Sequence, residues 1–115
     1  MNRIIHYTIP YKSSSLTEFL RFGSGMERFY FESNQSPTAI AGLGIAAQIT
    51  SGGANRFAEL SQSVQEFFQR IICIDASNAF PRPTLLGGGA FFDQTERGFW
   101  DSFPQATLVL PRYAL

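Results

Sequence analysis

Apolar and polar positions alternate between two rhythms along this chain, and each rhythm predicts a different kind of element. Ile4 to Pro10 reads as a strand, ended by Pro10 and the Ser13-Ser14-Ser15 cluster. Ser14 or Ser15 is placed to cap a short helix carrying Leu16, Phe19, Leu20 and Phe22, with Glu18 near its positive end and Gly23-Ser24-Gly25 as the stop. Arg28 to Ser33 is aromatic and β-prone, and Asn34 to Pro37 is a turn. Thr38 to Thr50 is too rich in glycine for a good helix, so it predicts a strand buried on both faces. The clearest periodicity follows. Phe57, Leu60, Val64, Phe67, Phe68, Ile71 and Ile72 recur at helical spacing, with Asn55 as N-cap and Arg70 at the C-terminal end. Glu59, Gln62, Gln65, Glu66 and Gln69 fill the opposite face, and Asp75 to Asn78 closes the helix region. Thr84 to Phe92 and Ala106 to Leu110 are two further strands, separated by a polar turn (Asp93 to Arg97) and an aromatic corner (Phe99 to Pro104). The fold class expected is α+β: a mostly antiparallel sheet with one long and one short helix packed on it.

Composition adds one constraint to this picture. The chain has 115 residues, the size of a single domain. Hydrophobic residues make up 44%, and twelve residues are Phe, but only 16% are charged. A typical soluble domain carries about 25% charge. A small domain has much surface for its volume, so the shortfall implies that another structure covers one face. The apolar ending at Leu115 points the same way, to a piece of a larger protein.

Charge excludes several partners. Net charge is zero, eight of the nine basic residues are Arg, and no basic stripe forms, so a nucleic-acid footprint is not supported. No basic amphipathic segment and no bilayer-length apolar run is present, and the N-terminus lacks a signal-peptide core. Cys73 is the only cysteine and stands in the apolar run Ile71 to Ile74, which predicts a buried, inert thiol. A cytosolic location is expected.

No catalytic constellation emerges from the residues. His6 is the only histidine and Cys73 the only cysteine, so a His/Cys metal site lacks its ligands, and a Ser-His-Asp triad would need His6 as its base with no serine in a Gly-x-Ser-x-Gly context. Gly42-Leu43-Gly44, Gly52-Gly53 and Gly87-Gly88-Gly89 lack the spacing of a phosphate-binding loop and read as bends and strand glycines. Glu59 with Glu66, and Asp93 with Glu96, read as solvated pairs. Lys12 sits beside a serine-rich loop, a poor place to activate an amine. Phe99, Trp100 and Phe103 read either as a packed corner or as a docking surface.

Four segments, in order, carry a family resemblance. They are Glu27-Arg28-Phe29-Tyr30-Phe31-Glu32, then Ala41-Gly42-Leu43-Gly44, then Pro83 to Asp93 leading into Trp100-Asp101-Ser102-Phe103-Pro104, and last Leu108-Val109-Leu110-Pro111-Arg112. Their order and spacing resemble the N-terminal region of isochorismate synthases, within the chorismate-utilising enzymes. Phe31 stands where that family often has Trp, and Gly87-Gly88-Gly89 has one glycine more than the usual pair. The resemblance implies that residues 1–115 are a single N-terminal domain, half of a larger fold, whose partner is a C-terminal chorismate-binding domain of the same chain. It implies magnesium in the full-length enzyme and none in this piece, with no catalytic, cofactor-binding or metal-binding residue here. The related anthranilate and aminodeoxychorismate synthases carry a Leu-Leu-Glu-Ser motif. Here Tyr30-Phe31-Glu32-Ser33 keeps only its second half, so no tryptophan site is expected. A separate piece is expected to self-associate through its apolar face. The competing expectations are another chorismate-utilising synthase (anthranilate, aminodeoxychorismate or salicylate type) and a free-standing module that binds a small ligand or a protein.

Overall fold

A computed structural model describes residues 3–9, 15–35, 39–75, 83–90 and 104–115. Within these residues the chain runs β1 (Ile4–Thr8), α1 (Leu16–Phe22), β2 (Arg28–Glu32), β3 (Ala39–Ser51), α2 (Arg56–Gln69), β4 (Ile71–Asp75), β5 (Leu86–Gly89) and β6 (Ala106–Ala114). The strands form two sheets. One is antiparallel and four-stranded, in the order β2-β3-β6-β5, and the other is a parallel pair of β1 and β4. Both helices pack on β3, and α2 also touches β6. This is the α+β architecture that the hydrophobic pattern predicts, with a parallel pair that it did not.

The local chemistry explains most boundaries. Ser15 Oγ accepts a hydrogen bond from the Glu18 amide at 3.1 Å and so opens α1, which Gly23 closes. Gly44 has φ +69° and lies next to an irregularity between Ile45 and Ala47, where β3 slips register against β6. That left-handed conformation costs a glycine little, and it lets the longest strand bend. Ser51 Oγ donates to Glu59 Oε2 at 3.1 Å, which ties the end of β3 to the first turn of α2.

The core sits between α2 and the centre of the large sheet. Ala41, Leu43, Leu60, Phe67, Ala106, Val109 and Leu110 are its buried apolar side chains. β3 is buried on both faces only from Ala41 to Gly44, and from Ile45 onward no residue of the strand is buried, so the two-face expectation holds for the first half.

Three expectations are corrected. First, Ile71 and Ile72 do not continue α2. The helix ends at Gln69, with Arg70 as its cap, and the β-branched run Ile71-Ile72-Cys73-Ile74 enters β4. The helical spacing from Phe67 and Phe68 concealed that change. The α2 stripe itself buries Leu60 and Phe67 but leaves Phe57 and Phe68 exposed. Second, β6 does not stop at Leu110. It passes through Pro111 to Ala114, because beyond Val109 it pairs with β3 alone and Pro111 faces the slipped register at Ile45. Third, Cys73 is exposed, because β4 lies in a two-stranded pair and not in the core.

Candidate functional site

The parallel pair leaves apolar side chains in water. Ile5 stands opposite Ile72, and Tyr7 opposite Ile74. Ile5 is 66% exposed and Tyr7 62%, and Ile9, Ile72 and Ile74 are exposed beside them. Parallel sheets are stable where both faces are covered, and an isolated two-stranded sheet is marginal in water. An apolar face on such a pair therefore calls for a covering structure.

The other side of β1 looks inward. Ile4, His6 and Thr8 are half-buried, and together with Ile5, Tyr7 and Ile9 they line a cleft of about 860 Å³ that continues along Phe19, Ile40 and Leu110 to Arg112. Its walls are mostly apolar, and His6, Tyr7, Arg112 and Tyr113 bring ionisable groups to it. His6 is the register partner of Cys73. The arrangement suits the burial of apolar surface and has no assembled nucleophile and base.

The remaining residues weighed for chemistry divide simply. Glu59 is engaged by Ser51, and Glu66 is exposed on α2. Gly87, Gly88 and Gly89 lie in or end β5, as strand glycines. Lys12, Asp93, Glu96, Phe99, Trp100 and Phe103 lie outside the described residues. No three of His, Cys, Asp and Glu gather into a metal-binding group among the described residues. No described helix is long and apolar enough to cross a membrane.

One buried polar residue escaped the sequence reading. Arg56, at the start of α2, is only 4% exposed. Its Nη1 donates to Gly53 O at 3.2 Å and its Nη2 to Ala90 O at 2.6 Å, while its Nε has no hydrogen-bond partner among the described residues. The guanidinium also lies 4.5 Å from the centroid of the Phe57 ring. These contacts latch the start of α2 to the end of β5. Nothing in the sequence around Arg56 marks it as buried.

The segments that resemble known enzymes now have places in the fold. Glu27 to Glu32 contains β2, Ala41 to Gly44 is the buried part of β3, Pro83 to Asp93 contains β5, and Leu108 to Arg112 lies in β6. All four strands of the large sheet thus carry part of the pattern. The family model described as chorismate binding enzyme matches residues 1–115, the whole chain. The chain belongs to the chorismate binding enzyme family. No curated protein and no solved structure gives a significant match. For a chorismate binding enzyme, the described residues contribute two sheets, two helices and an exposed apolar face on the β1–β4 pair.

Proposed function

We propose that this chain is the N-terminal structural domain of an isochorismate synthase, the enzyme that isomerises chorismate to isochorismate with magnesium. In this reading the catalytic groups and the magnesium ligands belong to a C-terminal domain of the same cytosolic protein, and residues 1–115 alone are inactive. Family membership over the whole chain supports a chorismate-utilising protein. The observation that carries the structural role is the uncovered apolar face of Ile5, Tyr7, Ile9, Ile72 and Ile74 on a two-stranded parallel pair. A catalytic domain packed there removes that surface from water and stabilises the pair. The departure of Tyr30-Phe31-Glu32-Ser33 from the tryptophan-binding motif favours isochorismate synthase over the anthranilate type.

Product analysis tests the reading. The complete gene product, given chorismate and magnesium, should form isochorismate without added ammonia or glutamine. Formation of anthranilate, aminodeoxychorismate or salicylate would move the assignment to the corresponding synthase. A second reading, a free-standing small-ligand module, is favoured only by the cleft of about 860 Å³ beside His6 and Arg112. A gene that ends at Leu115 would support it.

A further inference from the structure

We draw no further inference here: the strongest candidate, the exposed apolar face of the β1–β4 pair, already carries the proposed docking of the catalytic domain, and nothing in the structure shows what else covers it.

Discussion

Gly87 of β5 packs directly against the peptide that joins Thr107 to Leu108 on β6. A Cβ at Gly87 would overlap the Thr107 carbonyl oxygen and stand 2.9 Å from its carbon and 3.0 Å from Leu108 Cα. All three atoms are backbone, so no rotamer change relieves the overlap. Gly88, one residue on, has nothing within 4 Å of the same position. Gly87→Ala should therefore cost about 2–3 kcal/mol, in the range of overpacked sites. Gly88→Ala should stay within about 0.5 kcal/mol of the parent. Urea midpoints of the two variants check the contrast, and equal midpoints would mean that β5 does not pair with β6 in this register.

Arg56 offers a second test. Its guanidinium is buried on two carbonyl oxygens and the Phe57 ring, without a carboxylate partner among the described residues. Arg56→Ala removes two charge-assisted hydrogen bonds and leaves a void, with an expected loss of about 2–4 kcal/mol. Arg56→Met keeps most of the volume and should lose less, since the charge no longer needs to be desolvated. Thermal unfolding of both variants gives the order. If Arg56→Met proves as costly as Arg56→Ala, the lost carbonyl latch matters more than the packing.

How far the fold could be read depended on whether local pattern and tertiary pairing agreed. Ser15, Gly23 and the helical stripe through Leu60 and Phe67 marked their elements because caps and burial obey local rules. β4 was hidden because Ile71 and Ile72 fit the helical period and the strand equally well. Only the pairing with Ile4 and Ile5, about sixty-seven residues away in sequence, decides between them. The exposure of Cys73 follows from the same pairing and was illegible for the same reason. Arg56 looked like any helix arginine, because its burial depends on Ala90, far along the chain. The charge shortfall, by contrast, did forecast an uncovered apolar face, although not which strands would carry it.

Cys73 gives a direct check on β4. The thiol is exposed, so a colourless disulfide reagent or a thiol-reactive dye should label it in the native protein at a rate close to that after unfolding. Protection of Cys73 by several orders of magnitude would return Ile71 to Ile74 to the core.

Tyr30 supplies a pH prediction. Its hydroxyl donates to Glu32 Oε2 at 3.1 Å, and this bond, with slight desolvation and the Glu32 charge, raises the phenol above its ordinary value of 10.0. The folded state thus holds the phenolic proton more tightly than the unfolded chain does. The contribution to stability is fully present below pH 10.0 and is lost as pH rises through the folded value. Glu32→Gln should lower the Tyr30 titration toward 10.0, as read from phenolate absorbance in difference with Tyr30→Phe. An unchanged titration would remove Glu32 as the cause.

The docking role of the β1–β4 face is tested most directly by isochorismate formation in the complete gene product, compared with a variant carrying Ile72→Glu and Ile74→Glu. Chorismate and magnesium are supplied to both, and product is followed by chromatography. The parent should convert chorismate, residues 1–115 alone should not, and the double variant should lose most activity along with its cooperative unfolding as one unit. Full activity in the double variant, or turnover by residues 1–115 alone, would contradict a structural domain that docks through Ile5, Tyr7, Ile72 and Ile74.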